Sequence, residues 1–400
     1  MSIQAPATEA AGPAKRRLAF TGIALAIGFT LVLGGAWLSG NWLFDAYGRP
    51  IANDFVNVYA AGELALDGNA EGAYDWNLHK QVEIDAVGYD FDGYYGWHYP
   101  PTYFFIAATL ALLPYSAAAL TFLAITLVGY AAAIWRVLGS RAGILVALGS
   151  PAALWNATAG QNGYLTAALI GGTLGFMDRQ PVLAGICLGL LSFKPHLGFL
   201  FPLALIAGAR WRTFMVATLV TVGWAALSFF VFGSDSWQSF IEWIPTTSHV
   251  VLGRGQADFG RLQSLFGLVR VFGGSEPMAW GVQIAAAAAL AIAIIWLWHS
   301  RAVFELKAAG LSCAALLATP YIYIYDLVGL TVPVAFLLKL ALERGFYAVE
   351  VAGLGAVVVL LLSFPYANTQ VGLAATVIVA ALVLHRLSLS IRRAPSVAPT

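Results

Sequence analysis

Apolar residues occur in long blocks along this chain, and short polar segments separate the blocks. The apolar blocks cover residues 18–38, 101–113, 115–137, 142–158, 163–177, 181–193, 197–209, 213–232, 279–298, 307–319, 327–340, 346–363 and 370–387. Several blocks are shorter than the ~20 residues that a helix needs to cross the hydrocarbon core of a bilayer. The pattern predicts an all-α, polytopic membrane protein with about twelve transmembrane helices.

Short apolar blocks are joined by polar residues at three places, which read GQNG at 160–163, KPH at 194–196 and TPYIYIYD at 319–326. Irregular backbone is not stable against lipid, because its N–H and C=O groups would lack hydrogen-bond partners there. Broken helices of this kind therefore usually border an aqueous cavity. We expect the three polar segments to lie beside one.

Composition agrees with a membrane protein. The chain is 60% hydrophobic and 10% charged, whereas soluble proteins carry roughly 25% charged residues. A net charge of +1 gives no indication of nucleic-acid binding, and we expect none. The two cysteines, Cys187 and Cys313, lie in apolar blocks, so no disulfide is predicted. The first apolar block is too long for the core of a signal peptide and is interpreted as a retained anchor.

The distribution of Lys and Arg predicts the orientation in the membrane. Fifteen of these 21 residues fall on one side if 101–113 is a shallow or re-entrant helix. They are Lys15, Arg16, Arg17, Arg136, Arg141, Arg179, Arg210, Arg212, Arg301, Lys307, Lys339, Arg344, Arg386, Arg392 and Arg393. Because positive residues concentrate in the cytoplasm, we expect residues 1–400 to form one domain with cytoplasmic tails at 1–17 and 388–400. The expected location is the bacterial cytoplasmic membrane.

Two long external loops follow from this orientation, at 39–100 and 233–278, each expected to carry amphipathic helices. The first contains ten of the twenty acidic residues, and only Arg49 and Lys80 oppose them. The second carries Arg254, Arg261 and Arg270. This asymmetry suits a site that binds a neutral polyol near the first loop and a phosphate near the second. Alternatively, the loops only pack on each other as solvated lids.

In the first loop, residues 52–68 read ANDFVNVYAAGELALDG. Their apolar residues recur with helical period, which predicts an amphipathic helix on the membrane surface. Asp54 stands where this helix begins. It is interpreted either as a helix cap or as a catalytic base, and the two roles are compatible. Free N–H groups at a helix start lower the pKa of a carboxyl group, so we expect Asp54 to be ionised and able to abstract a hydroxyl proton.

Eight short motifs occur in order: DFVNVY from Asp54, GNAEGAYD at 68–75, YPP at 99–101, LLPY at 112–115, GQN at 160–162, FKP at 193–195, LQSLFGLVR at 262–270 and TPYIYIYDLVGL at 319–330. With them the chain resembles the polyprenyl-phosphate-mannose-dependent α-mannosyltransferases (the DUF2029 type), a family of the C superfamily of membrane glycosyltransferases (GT-C). The resemblance covers nearly the whole chain. It implies a GT-C fold and an inverting enzyme that moves a sugar, most commonly mannose, from a polyprenyl-phosphate donor to a lipid or glycan acceptor, such as a membrane glycolipid. The reaction would take place on the outer face of the bilayer, and we expect no cofactor and no metal.

The resemblance makes Asp54 the catalytic base. Residues assigned to substrate or donor binding, from the motifs and the loop charges, are Tyr59, His98, Tyr99, Gln161, Asn162, Lys194, His196, Arg254, Arg261, Gln263, Ser264, Tyr325 and Asp326. Gln161 and Asn162 would hold sugar hydroxyls, or else only satisfy a helix break. Some members of the family carry a histidine near the position of Asp326, where this chain has tyrosines, and His196 or His249 is a possible substitute.

Lys194 lies in an apolar block, where an ionised amine is costly unless it is paired or reaches the interface. It would contact the donor phosphate, extend to the membrane surface, or pair with an acid such as Asp326. As phosphate ligands, Lys194 and Arg261 would neutralise the leaving group.

Two other classes of membrane protein share some of these features. Secondary transporters also have broken helices and charges at mid-membrane, but they do not need a long acidic external loop. Glycan ligases and polymerases also use polyprenyl-linked sugars from outside, and they are expected to depend on a large late loop. A transferase therefore remains the favoured function.

Overall fold

The computed structural model describes residues 7–255, 258–367 and 369–392, and within them the fold is almost entirely helical. The helices are α1 (Ala7–Leu38), α2 (Phe55–Leu66), α3 (Trp76–Val87), α4 (Phe104–Ala111), α5 (Tyr115–Leu138), α6 (Ala142–Leu148), α7 (Pro151–Ala159), α8 (Gly163–Phe176), α9 (Pro181–Leu190), α10 (Pro195–Gly198), α11 (Phe201–Ala207), α12 (Trp211–Thr247), α13 (Leu265–Val271), α14 (Glu276–His299), α15 (Phe304–Leu317), α16 (Thr331–Arg344), α17 (Ala348–Leu362) and α18 (Val371–Arg392). One small antiparallel hairpin pairs β1 (Asn41–Trp42) with β2 (Phe44–Asp45). Arg393, which was predicted to be cytoplasmic, lies outside the described residues.

Six helical segments among the described residues are long and apolar enough to cross a membrane, or seven if the bent pair α6–α7 forms one span. They are Gly12–Leu38, Tyr115–Leu138, Trp211–Gly253, Glu276–His299, Ile324–Arg344 and Val371–Ser390. The prediction of a polytopic, all-helical membrane protein is confirmed. The count of twelve spans stays a prediction, because six further apolar helices have only 10–17 residues. Segment 101–113 contributes one of these, the helical run Pro101–Ala111 that includes α4, which at about 17 Å is too short to cross.

The helix bounds follow from proline and glycine positions. Proline stands at the first turn of α7, α9 and α10, where its missing N–H has no helical partner to lose. Gly160 ends α7 with φ of 71°, a backbone conformation that favours glycine. The GQNG segment therefore stops one helix and begins the next within three residues.

The prediction that α2 lies on the membrane surface is wrong. Nine of its twelve residues are buried against the rest of the protein, and only Leu66, at its end, is exposed. At Gly62 the backbone of α2 approaches α4 so closely that a Cβ atom would lie 2.2 Å from the carbonyl oxygen of Ala107. The segment ANDFVNVYAAGELALDG is thus part of the core, and it fixes the chain that carries Asp54.

Helix α12 forms both a membrane segment and part of the second loop. Its 37 residues are interrupted at Gly233, where φ is 81° and ψ is 163°, outside the helical region. The predicted second loop begins at this residue. The helical segment beyond the break does not lie free as an external lid, because Phe240 and Trp243 pack against aromatic residues of the first loop.

Candidate active site

A cavity of about 1170 Å³ lies where the two loops meet the broken helices. Its walls come from the first loop, the α7–α8 junction, the segment 193–196, helix α12, the turn at 258–261, the segment 321–326 and residues 364–367. Small-molecule sites usually measure ~300–1000 Å³, so this cavity has room for two substrates. Nine of the fourteen predicted site residues line it: Asp54, His98, Tyr99, Gln161, Lys194, His196, Arg261, Tyr325 and Asp326.

Tyr59 and Gln263 lie away from the cavity wall and have structural partners. The hydroxyl of Tyr59 donates to the carbonyl of Leu113 at 3.0 Å. The Gln263 amide nitrogen donates to the carbonyl of Gly260 at 2.9 Å, and its oxygen accepts the N–H of Gly372 at 2.7 Å. Because these polar atoms are engaged within the protein, we leave both residues out of the proposed site.

Ser264 and Arg254 also do not line the cavity. The Ser264 hydroxyl accepts the N–H of Gly267 and so caps α13, which is the usual role of serine at a helix start. Arg254 is exposed. Gln370 adds a second contact between the last helix and this loop, since its amide donates to the carbonyl of Phe259 at 2.9 Å. The contacts from Gln370 and Gly372 therefore fix the part of the second loop that carries Arg261.

Asp54 does not cap helix α2. Its backbone is helical, with φ of −55° and ψ of −19°, and its side chain accepts no N–H from the first turn. The amide N–H of Phe55 is bonded instead by the side-chain oxygen of Asn53 at 3.0 Å. The capping interpretation of Asp54 is wrong, and its carboxylate is left to face the cavity.

The expectation that helix N–H groups keep the pKa of Asp54 low is also wrong. Burial raises the pKa of Asp54 to about 6, although the hydrogen bond from Gln161 and the positive charge of Arg261 lower it in part. Desolvation disfavours the charged form of a carboxyl group. A base whose pKa lies near the working pH is both deprotonated and basic enough to take a proton.

A chain of hydrogen bonds fixes the partner of Asp54. The Gln161 side-chain nitrogen donates to the Asp54 carboxylate at 3.3 Å. Its oxygen accepts the N–H of Asn162 at 3.1 Å and the hydroxyl of Tyr99 at 3.3 Å. The Asn162 side-chain amide in turn donates to the Tyr99 hydroxyl at 2.7 Å. Since its oxygen accepts two donors, the Gln161 amide must present its nitrogen to Asp54.

Lys194 and Asp326 form a buried ion pair, with 2.5 Å between the amine and a carboxylate oxygen. The other Asp326 oxygen accepts the N–H of Tyr323 at 3.0 Å. Of the three interpretations of Lys194, the structure shows pairing, and only 5% of the residue is exposed. It does not extend to the membrane surface. Both members of the pair nevertheless line the cavity.

Arg261 is a different kind of cation. It is exposed, lines the cavity, and has no carboxylate within 4.0 Å among the residues that the structure describes. Asp258 shapes the turn that carries it, because the Asp258 side chain accepts the N–H of Gly260 at 2.9 Å. The charge of Arg261 is therefore available to an anionic ligand.

The two cavity histidines differ in their neighbours. His98 lies 3.0 Å from the hydroxyl of Thr247, measured from its Nδ1 atom, and burial lowers its pKa to about 4. It is neutral at physiological pH. The ring of His196 is centred 6.1 Å from that of Tyr321.

Gly163 brings two of the polar segments together. A Cβ atom at this position would lie 2.1 Å from the carbonyl oxygen of Tyr325, much closer than van der Waals contact. The GQNG segment therefore needs glycine where the segment carrying Asp326 crosses it. This close approach places Gln161 and Asp326 on the same cavity.

We expect Gly163→Ala to displace the segment around Tyr325 and to lower activity. Overpacking costs ~1–3 kcal/mol, and a 1 Å misplacement of reacting groups can cost ~100-fold in rate. Thermal unfolding and turnover of the purified protein measure the two effects. Gly129→Ala is the control, because a Cβ there meets only Ala168 at an ordinary 3.6 Å. Equal activity of the two variants would contradict this account of Gly163.

Sequence reasoning missed the cavity residues that α12 contributes. Phe240, Trp243, Ile244 and Thr247 line it from α12, and their spacing of three and four places them on one helical face. That spacing was visible in the sequence. The spacing alone does not indicate a site, because it does not show that Trp76 of the first loop lies next to Trp243.

A family model described as Glycosyltransferase family 87 matches residues 97–320, which is more than half of the chain. The chain belongs to glycosyltransferase family 87. This confirms that the protein is a glycosyltransferase, as the motifs predicted. No curated protein and no solved structure matches the chain significantly. The matched region of the family 87 enzyme includes Gln161, Lys194 and Arg261, whereas Asp54 and Asp326 lie outside it.

Proposed function

We propose that this family 87 enzyme transfers a sugar, mannose by preference, from a polyprenyl-phosphate donor to a hydroxyl of a glycolipid or glycan. The observation that carries the proposal is a single cavity lined both by Asp54, a carboxylate with raised pKa, and by Arg261, a cation that pairs with no carboxylate of the described residues. Transfer from a sugar phosphate needs a base for the attacking hydroxyl and positive charge for the leaving phosphate.

The reaction is a single displacement at the anomeric carbon. The acceptor hydroxyl gives its proton to Asp54 while its oxygen bonds to the anomeric carbon. The bond from that carbon to the phosphate oxygen breaks, and its electron pair leaves with the phosphate, beside Arg261. Attack opposite to the leaving group inverts the configuration. Gln161 orients the base through its hydrogen bond to Asp54. Lys194 lines the same cavity, where Asp326 partly compensates its positive charge.

The lipid nature of the donor is inferred from the surroundings of the cavity. One wall carries Trp155, Phe364 and Tyr366, in a chain whose helices include six long and apolar enough to cross a membrane among the described residues. The indole N–H of Trp155 already donates to the carbonyl of Leu361 at 2.7 Å, so this wall offers an apolar surface to a prenyl chain. The charge bias described above favours an opening on the outer face of a bacterial cytoplasmic membrane.

A donor comparison in proteoliposomes tests this function. The purified enzyme is supplied with radiolabelled mannosyl-phosphoryl-polyprenol or with GDP-mannose, together with a total membrane lipid extract as acceptor. We expect label in lipid or glycan products from the polyprenyl donor alone. Label from GDP-mannose alone would contradict the proposal. Glucosyl, galactosyl and arabinosyl forms of the polyprenyl donor then establish which sugar is preferred.

The raised pKa of Asp54 predicts a pH dependence. The active base is the ionised form, so kcat/KM should fall as the pH decreases through about 6, by about tenfold for each further pH unit. Arg261→Gln should move this midpoint upward, because the charge of Arg261 lowers the pKa of Asp54. The control Arg254→Gln, at an exposed position outside the cavity, should leave the midpoint unchanged. A pH profile that is flat from 5 to 8 would exclude Asp54 as the base.

A further inference from the structure

Two polar side chains at the start of α2 line the cavity, those of Asp54 and Asn57. The backbone of Asp54 is helical, and the two residues are three apart, so they lie on one face of the helix, one turn from each other. The proposed displacement uses Asp54 only. Every other buried residue of α2 is apolar, glycine or a tyrosine whose hydroxyl is bonded, so Asn57 needs an explanation of its own.

The carboxamide of Asn57 is buried and unpaired. Only 5% of the residue is exposed. Its side-chain oxygen is buried without a hydrogen-bond partner, and its nitrogen donates to none of the described residues. Gln161, the other carboxamide of the cavity wall, has partners at both its nitrogen and its oxygen. Buried polar groups are almost always bonded, and an unpaired one costs folding free energy, so packing alone does not explain an asparagine at position 57.

A hydroxyl that attacks a carbon atom has three directions to satisfy. Its hydrogen must point to the base, one lone pair must point to the carbon, and the second lone pair is free to accept a hydrogen bond. In this cavity Asp54 is the base. A donor one helical turn from it can reach the same oxygen, because side chains at this spacing have Cβ atoms about 5–6 Å apart. The side-chain N–H of Asn57 is such a donor.

We propose that Asn57 is a second catalytic residue, which donates a hydrogen bond from its side-chain nitrogen to the attacking hydroxyl and directs that oxygen at the anomeric carbon. This inference rests on the proposed function, because it needs Asp54 as the base. The hydroxyl proton passes to Asp54 while the oxygen bonds to the anomeric carbon, and the phosphate leaves with the electron pair of the broken bond. Asn57 gives up no proton. It fixes the rotation of the hydroxyl about its C–O bond.

Asn57→Leu tests this role, because leucine has a similar volume and no polar atom. We expect kcat for transfer to fall by about 10- to 100-fold through misplacement of the nucleophile. The affinity for the donor should be unchanged, since the donor phosphate lies beside Arg261. The unfolding temperature should stay equal or rise, because the substitution removes an unpaired buried amide and introduces a better helix former. Turnover in proteoliposomes, donor binding and thermal unfolding measure the three quantities.

The same substitution at two other asparagines provides the controls. Asn156 is also fully buried, but its oxygen accepts the N–H of Gly163 at 2.7 Å, so Asn156→Leu should lower the unfolding temperature. Asn77 is exposed on α3 and lies outside the cavity, so Asn77→Leu should change neither turnover nor stability appreciably. A fall in the unfolding temperature of Asn57→Leu as large as that of Asn156→Leu would assign Asn57 to the fold and overturn the proposal.

The kinetic outcomes separate this inference from the proposed donor. A loss of kcat in Asn57→Leu with mannosyl-phosphoryl-polyprenol, at unchanged stability, supports both proposals. The same loss with GDP-mannose as the only working donor retains the role of Asn57 and contradicts the polyprenyl donor. Turnover of Asn57→Leu within twofold of the wild type, with the polyprenyl donor, overturns the role of Asn57 and retains the proposed function. A raised KM for the acceptor at unchanged kcat also overturns it, because the contact would then be no stronger in the transition state.

Discussion

Asp54→Asn should reduce sugar transfer by roughly 100- to 10,000-fold, the usual contribution of a general base. The substitution removes the proton acceptor and nearly preserves shape. A loss of helix capping cannot explain the result, because the Asp54 side chain accepts no N–H from α2. The hydrogen bond from Gln161 can still form to the asparagine oxygen, so the local structure should persist. Turnover in proteoliposomes and binding of the donor measure the two consequences separately.

Asp67→Asn is the matched control. It neutralises an exposed acid just after the same helix and should leave turnover within about twofold, as for most surface substitutions. Near-wild-type transfer by Asp54→Asn would end the assignment of Asp54 as the base. A loss of donor binding along with turnover would instead show that the substitution disturbs the whole cavity.

Breaking the pair between Lys194 and Asp326 should cost ~3–5 kcal/mol of folding free energy, because either single change leaves a buried charge without its partner. Lys194→Met and Asp326→Leu should therefore each lower the unfolding temperature and the yield of folded protein. Both residues are almost fully buried, so water cannot compensate the remaining charge. Thermal unfolding in detergent measures the loss.

The double variant Lys194→Met/Asp326→Leu separates stability from chemistry. Replacing a buried pair by apolar residues of similar size is often neutral, so the double variant should recover much of the lost stability. Its activity should remain low if the pair also supports the donor phosphate. Recovery of both stability and activity would show that Lys194 and Asp326 are structural only. An additive loss in the double variant would contradict the coupling itself.

Much of the site could be predicted because its polar residues interrupt apolar sequence. Gln161, Lys194 and Asp326 stand out where lipid-facing helices would tolerate no polar group, and the structure brings them to one cavity. The glycosyltransferase class followed from the order of the motifs. The number of membrane spans could not be predicted from the sequence. Short helices that meet at a cavity have the same composition as short helices that cross the membrane in pairs.

The errors concern properties that depend on distant contacts. Helix α2 has apolar residues at helical spacing, but its Ala60, Ala61 and Gly62 are small enough to be buried as well, so the sequence alone could not distinguish a surface helix from a core helix. The pKa of Asp54 depends on burial by segments far along the chain. The pairing of Lys194 likewise required a partner 132 residues away.

The attachment of the second loop to the last helix has a consequence for biosynthesis. Gln370 and Gly372, at the start of α18, hold the turn that carries Arg261 through Phe259 and Gln263. Membrane chains are built from the N-terminus, and early segments fold first. A nascent chain that ends before this point lacks both of these contacts. Chains truncated before Gln370 should therefore hold the turn that carries Arg261 less firmly than the full-length protein does.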